Sequence, residues 1–179
     1  VHLRNQISVL HQFDIRQPID MTAAIGNSVL TSRGLEWNID VSARVDKQVV
    51  WTGESVFLHR CKTGVPRKAV APIRREGEPL NWWVDADIGR RYARVSGDYN
   101  PIHLTDITAK LFGFKQAIAH GMWTKARCLA ALDQQIPMEG YSVDVTFHRP
   151  LFLPSQVLFY SQQLDGKQKF SLFNQTAEQ

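Results

Sequence analysis

The chain has 179 residues and a mass of 20.4 kDa, room for one ordinary domain or two small ones. Apolar residues make up 44% and charged residues 21%, which suits a folded chain and excludes a disordered one. No apolar run reaches the length of a membrane span, and no signal segment is visible. The chain starts at Val1 rather than at a methionine, so it reads as processed or cut.

Residues 1–60 read as strands. Trp37, Ile39, Val41, Ala43 and Val45 point one way, and Asn38, Asp40, Ser42 and Arg44 the other, the period of a half-buried strand. Asp46 to Gln48 form a polar turn, and Val49 to Leu58 run back as the second arm of a hairpin. Gly53 inside that arm predicts a bulge or a close backbone approach. This stretch holds no chemical constellation.

A basic run follows. Arg60, Lys62, Arg67, Lys68, Arg74 and Arg75 lie together with no acid among them from 60 to 75, and Gly64, Pro66 and Pro72 interrupt them. The net charge of +4 falls to −2 once those six are set aside. A basic footprint for nucleic acid is therefore not expected. The run reads as a solvated linker, 61–80, or as a landing site for a phosphorylated ligand.

From residue 81 the order changes to helices followed by strands. Asp85 to Val95 can form a helix with Ile88, Tyr92 and Val95 on one face, stopped by Ser96 and Gly97. Thr105 can cap a short helix through Phe112, ended by Gly113. His120 to Gln134 predict a second, strongly apolar helix with Met122, Ala126, Leu129 and Ala130 in one stripe, widened by Trp123 and Leu132. Strands return at 143–147, 157–160 and 170–173, with Asp165-Gly166 as a hairpin turn. An antiparallel sheet around a central helix follows. One more strand is expected beyond Gln179, which again marks the chain as incomplete.

The chemistry concentrates in SGDYNPIH, Ser96 to His103. Gly97 permits a turn closed to other residues, and Pro101 fixes its own φ and biases Asn100 toward an extended state. On such a loop Asp98 and His103 can converge on one water as an acid–base pair. Downstream, Ala119-His120-Gly121-Met122 opens the apolar helix. N–H groups of a first helical turn have no internal partner and lie at the positive end of the dipole, so the Gly121 N–H is a candidate oxyanion donor. His120 reads as structural or as a cap. The other histidines, at 2, 11, 59 and 148, stand alone; no HxxxH or HxH pair occurs, and no metal site is expected. Cys61 and Cys128 read as two free thiols of a reducing cytosol.

The segment RYARVSGDYNPIHLTDITAKLFGFKQAIAHGM, Arg91 to Met122, resembles the signature of the MaoC-like dehydratases, which include the (R)-specific enoyl-CoA hydratases. The resemblance runs through 32 residues without a gap and extends more weakly over 81–179. It implies an α+β hot-dog fold, and a double hot-dog whose N-terminal half, residues 1–60, is degenerate, non-catalytic and missing its beginning. It places catalysis on Asp98 and His103, loop support on Asn100 and the oxyanion donor on Gly121. A serine that some members carry further along the helix is not matched; Leu129 lies near that place. Phe112, Phe114, Met122 and Trp123, with Asn100, are candidate substrate-binding residues. The implied reaction is hydration of a trans-2-enoyl thioester to the (3R)-hydroxyacyl thioester, or its reverse, with no metal or redox cofactor. The thioester is carried by coenzyme A or an acyl carrier protein. A cytoplasmic enzyme is expected, as a homodimer or a double hot-dog within one chain. Alternatives from other classes are a hot-dog thioesterase, which would release free thiol, a non-catalytic acyl-thioester-binding subunit, and a pure interaction module.

Overall fold

A computed structural model describes residues 1–67, 69, 73, 75 and 77–175. Lys68, Pro72 and Arg74 of the basic run lie outside the described residues. Contacts divide the chain into two compact units, residues 1–71 with 132–148 and residues 72–131 with 149–179.

The first unit is a five-stranded antiparallel sheet. Its strands are β1 (His2–Val9), β2 (Asp20–Thr31), β3 (Gly34–Val45), β4 (Gln48–His59) and β6 (Tyr141–Thr146), in the order β2-β3-β4-β1-β6. The β3–β4 hairpin closes through Asp46 and Lys47, both at positive φ (49° and 67°), the backbone twist that a two-residue hairpin turn needs. Strand register sorts the chemistry by face. Thr22, Ser42, Thr52, Ser8 and Ser142 form one cross-strand row of five hydroxyls, and Ala24, Asp40, Glu54, Gln6 and Asp144 form the next row on the same side. Between them, on the opposite face, run Ala23, Val41, Gly53, Ile7 and Val143. The period of two therefore holds across these three rows, while register shifts interrupt it at His2/Arg4, Ile25/Ser28 and Ala43/Arg44. Gly53 is not the bulge. The register shift falls at Ala43/Arg44, and Gly53 makes room for the Trp51 ring, which would lie 2.4 Å from a Cβ there.

Strand β6 lies inside the expected 81–179 domain, yet it pairs with β1 from Arg4↔Thr146 to Val9↔Tyr141. The pairing satisfies the edge of β1 not bonded to β4, and it sets Val143 beside Ile7 and Val145 beside Asn5.

The second unit contains β5 (Leu80–Val84), α1 (Ile88–Ser96), a 3₁₀ turn (Pro101–His103), α2 (Asp106–Leu111), α3 (Gly121–Ala130), β7 (Ser155–Leu164) and β8 (Lys167–Asn174). Its antiparallel sheet has the order β5-β7-β8. Val84, Ala119, Leu153 and Val157 form its core, with Trp82, Ile88, Trp123, Leu151 and Leu172 packed against them. Asp165 and Gly166, at φ 50° and 72°, close the β7–β8 hairpin as expected.

Three helical expectations are corrected. Val95 is 80% exposed, because α1 presents Gly89 and Ala93 to the interior and turns Val95 outward. In α3 the buried positions are Lys125 and Cys128, whereas Ala126 and Ala130 are exposed. The helix also ends at Ala130 rather than Gln134. The Ala131 N–H is shared between the carbonyls of Arg127 and Cys128, and the chain tightens into a 3₁₀ turn over Asp133–Gln135.

Candidate active site

The loop between α1 and α2 is built by local hydrogen bonds. Gly97, at φ 73°, caps α1 and donates its N–H to the Ala93 carbonyl at 2.9 Å. Ser96 Oγ then accepts from the Asp98 N–H at 3.2 Å, and Asp98 Oδ1 accepts from the Asn100 N–H at 3.1 Å. Asn100 Oδ1 caps the 3₁₀ turn through the Ile102 N–H at 3.4 Å, and the Asn100 carbonyl accepts from the His103 N–H at 3.0 Å. Pro101 begins the turn, where its missing N–H costs nothing. Thr105 caps α2 as expected, accepting from the Thr108 N–H at 3.2 Å, and Thr108 Oγ1 donates back to the Pro101 carbonyl at 2.7 Å. Arg90 ties the end of the turn to α1 by donating to the Leu104 carbonyl at 2.9 Å.

His103 emerges from this loop into a buried position, 8% exposed. Its Nδ1 lies 2.7 Å from the Ile118 carbonyl oxygen. A carbonyl only accepts, so Nδ1 carries the proton of the neutral ring and Nε2 keeps its lone pair. Ile118 is itself pinned by its N–H to the Ile102 carbonyl and by a bridge to Phe152. Burial lowers the His103 pKa below the ordinary imidazole range. The Ile118 hydrogen bond opposes that shift, His120 adds to it, and the Asp98 charge opposes it. The net result is a ring held neutral, a weaker base than free imidazole, with its lone pair at Nε2.

Asp98 and His103, five residues apart in sequence, do converge, and a third group joins them. Ligand atoms of Asp98, His103 and His120 all lie within 4.8 Å of one another. The His120 ring stacks on the His103 ring at a centroid distance of 3.7 Å and an interplanar angle of 25°. His120 Nε2 donates to the Asp98 carbonyl oxygen at 2.9 Å and lies 3.8 Å from Asp98 Oδ2. Tyr92 of α1 packs against His120, with ring centroids 5.0 Å apart at an interplanar angle of 60°. Burial, followed by the Asp98 charge, raises the Tyr92 pKa and keeps the phenol protonated. Asp98 itself is 54% exposed and forms the open side of the group.

The spacing of the three groups would also admit a cation, but two of the four ring nitrogens are committed to backbone carbonyls, His103 Nδ1 to Ile118 and His120 Nε2 to Asp98. The arrangement suits proton transfer at an exposed carboxylate beside a neutral imidazole.

Gly121 is the first residue of α3, with His120 as its N-cap. The first intrahelical bond runs from the Thr124 N–H to the His120 carbonyl, no side chain caps the helix, and the Gly121 N–H has no acceptor among the described residues. It is available to an external oxygen, at the end of a ten-residue helix whose dipole favours negative charge.

The remaining expected site residues lie on the same loop and on or next to the helices α2 and α3. Asn100 is accounted for as the cap of the 3₁₀ turn. Phe112 caps α2 at its C-terminus and is 59% exposed; Phe114 is half-buried and donates its N–H to the Ala109 carbonyl. Met122 is half-buried in the first turn of α3, and Trp123 packs on the core. Sequence reasoning missed Gly89, where a Cβ would meet the His103 carbonyl oxygen at 1.8 Å. His120, read as structural or as a cap, is the N-cap of α3, and the sequence reading did not foresee its contacts with Asp98 and His103. The signal available for His120 was its place between a buried Ala-rich approach and a helix-opening glycine.

Trp123 of α3 packs on the core that β5 and β7 help to build, and a helix laid on an antiparallel sheet is the hot-dog arrangement. The crystal structure of HtdX from Mycobacterium tuberculosis superposes with a TM-score of 0.85 at 30% identity, over 97% of this chain and 71% of that one. A MaoC-like domain matches residues 64–179, and the chain belongs to the MaoC-like dehydratase family. It is 33% identical to 3-hydroxyacyl-thioester dehydratase X of M. tuberculosis over 97% of its own length and 63% of that protein. It is 32% identical to the (R)-specific enoyl-CoA hydratase of Aeromonas caviae over 37% of its own length and 52% of that enzyme. The chain thus spans less than two thirds of either relative.

Proposed function

We propose that the chain catalyses the reversible addition of water to a trans-2-enoyl thioester, giving the (3R)-hydroxyacyl thioester, with Asp98 and His103 as the acid–base pair and the Gly121 N–H as oxyanion donor. The observation that carries the reading is the tautomer of His103. Its Nδ1–H is committed to a backbone carbonyl, which leaves the Nε2 lone pair beside a half-exposed carboxylate. The names of the two relatives, a hydroxyacyl-thioester dehydratase and an enoyl-CoA hydratase, support the same reaction in its two directions.

With the thioester carbonyl on the Gly121 N–H, C3 becomes electrophilic. The oxygen of a water held by the pair bonds to C3, the water loses one proton to the pair, and the pair delivers one proton to C2. Charge that gathers on the thioester oxygen is stabilised by the helix start and collapses as the C2–H bond forms. The protein is unchanged over the cycle, and no metal or redox group is required by this sequence of steps. Acid–base assistance is worth about 10²–10⁴-fold, and an oxyanion donor about 3–4 kcal/mol.

Coenzyme A or an acyl carrier protein would present the thioester. Arg60, Lys62, Arg67 and Arg75 are exposed, as suits either a solvated linker or a landing site for a phosphorylated ligand. The second unit holds the proposed catalytic groups, and the strands of residues 1–60 serve as the non-catalytic half. A homodimer, or sheet pairing within one chain, and a cytoplasmic setting complete the proposal; among the described residues no helix is long and apolar enough to cross a membrane.

The test is loss of enoyl-thioester absorbance with crotonyl-CoA and a longer trans-2-enoyl-CoA, in wild type and Asp98→Asn together with a thiol reagent. Hydration by wild type alone, without thiol release, is expected. Thiol release in its place would make the chain a thioesterase, and binding without turnover would make it a carrier-binding subunit.

A further inference from the structure

We propose that His120 is a positioning residue that locks Asp98, His103 and the start of α3 into one working unit; this deepens the hydration reading and rests on it. The side chain is 3% exposed and meets all three parts. Its Nε2–H holds the Asp98 carbonyl at 2.9 Å, its ring lies on His103 at 3.7 Å, and its backbone is the N-cap from which Gly121 and α3 begin. One rigid imidazole therefore couples the carboxylate loop, the base and the oxyanion donor.

Packing alone does not account for a histidine here. Its Nδ1 is buried without a hydrogen-bond partner, an unfavourable state that a phenylalanine of similar shape would avoid. A phenylalanine would, however, leave the Asp98 carbonyl without its donor and would give up the directional tie between loop and helix. A buried polar ring is kept at the cost of an orphaned nitrogen, which points to the Nε2–H bond as the reason for its presence. The stack has a second effect. Two imidazoles in face-to-face contact cannot both take up a proton without repulsion, so His120 adds to the burial that keeps His103 neutral. The titratable groups that face this pair are the Asp98 carboxylate from the loop and the Tyr92 phenol from α1.

The experiment compares His120→Ala and His120→Gln with wild type in the full chain, by enoyl-CoA hydration and by NMR titration of the His103 imidazole. Glutamine can set a side-chain N–H where Nε2 stood, but it carries no titrating ring. His120→Ala is expected to lose about 10²-fold in kcat, the usual cost of a displacement near 1 Å, with KM nearly unchanged. His120→Gln is expected to recover most of that loss. In both variants the His103 midpoint, and with it the acidic limb of kcat/KM, moves to higher pH. A folded His120→Ala with the wild-type kcat overturns the proposal. So does a His120→Gln as slow as His120→Ala with an unmoved His103 midpoint, which is what a purely structural residue gives. If His120→Ala does not fold, His120→Gln decides alone by the same two readouts. If wild type hydrates no enoyl thioester, the hydration reading fails separately, and the His103 midpoint in His120→Gln still decides: moved, it supports the coupling; unmoved, it removes it.

Discussion

Gly89→Ala is the most demanding test of how the proposed base, His103, is placed. Gly89 lies in α1, at ordinary helical φ, so alanine is conformationally welcome there. Space is the obstacle. An added Cβ would lie 1.8 Å from the His103 carbonyl oxygen and 2.9 Å from its carbon, where ordinary contact begins at 3.4 Å. Those are backbone atoms, which cannot rotate aside, so α1 and the 3₁₀ turn must part by about 1.5 Å. The turn carries His103, and a displacement near 1 Å costs about 10²-fold in rate. Overpacking costs about 1–3 kcal/mol, and alanine returns about 1 kcal/mol of helix propensity. Stability should fall by about 2 kcal/mol or more, since the clash is with backbone, at roughly 2–4 °C of Tm per kcal/mol for a chain of this size. The assay is enoyl-CoA hydration alongside thermal unfolding, with Gly64→Ala as the control, since nothing lies within 4 Å of a Cβ at Gly64. A Gly89→Ala variant at the wild-type rate would refute the argument that this close approach sets the position of the proposed base.

Asp98→Asn should abolish hydration while leaving the circular dichroism spectrum and Tm near wild type, because the carboxylate is half exposed and an amide oxygen can still accept from the Asn100 N–H; measurable turnover would remove Asp98 from the mechanism. The pH dependence follows from His103, whose folded pKa lies below the ordinary imidazole value of 6.5. The acidic limb of kcat/KM should therefore fall below pH 6.5. Its stability contribution is present above 6.5 and is lost as pH drops from there through the folded pKa, because in that window only the unfolded chain takes up the proton. Chemical unfolding followed between pH 7 and 5 checks the sign, and His103→Phe should flatten that part of the profile. Cys128 is buried with its thiol pushed up to about 12, whereas Cys61 is exposed. A thiol reagent at pH 8 should label one cysteine in the native protein and two after unfolding. Thr105→Ala should cost about 1 kcal/mol through loss of the α2 cap, measured by denaturant unfolding.

What could be read from the sequence was local. Gly97, Asn100 and Pro101 each act through their own backbone or a neighbour two to four residues away, so the turn of the SGDYNPIH loop was legible in the residues themselves, while the weight on Asp98 and His103 came from the family resemblance. The same is true of the Asp46-Lys47 and Asp165-Gly166 turns and of the Thr105 cap. The reading faltered where a tertiary partner decides. Val95 fits the apolar stripe of α1, but the small residues Gly89 and Ala93 draw that helix in on another face. In α3 the apolar stripe through Ala126 and Ala130 was misleading, since burial falls on Lys125 and Cys128. A lysine at a buried helix position has no signature in hydrophobic periodicity. Gly89 looks like any tolerated helix glycine until the His103 carbonyl is seen against it. His120 looks like a cap because its partners, Asp98 and His103, lie 22 and 17 residues away and only the fold brings them together.

The pairing of β6 with β1 also has a consequence in time. Strand β1 is among the first parts of this stretch to leave the ribosome, and its partner for one edge follows roughly 140 residues later. At about 5–20 residues per second, translation leaves that edge open for about 7–30 s. During the wait, the N–H and C=O groups of β1 that later meet β6 are a template for any passing strand. The nascent chain is most vulnerable to mispairing between the synthesis of β4 and that of β6, a period in which the whole SGDYNPIH loop is also made. A pause or truncation inside that interval would leave the N-terminal sheet one strand short.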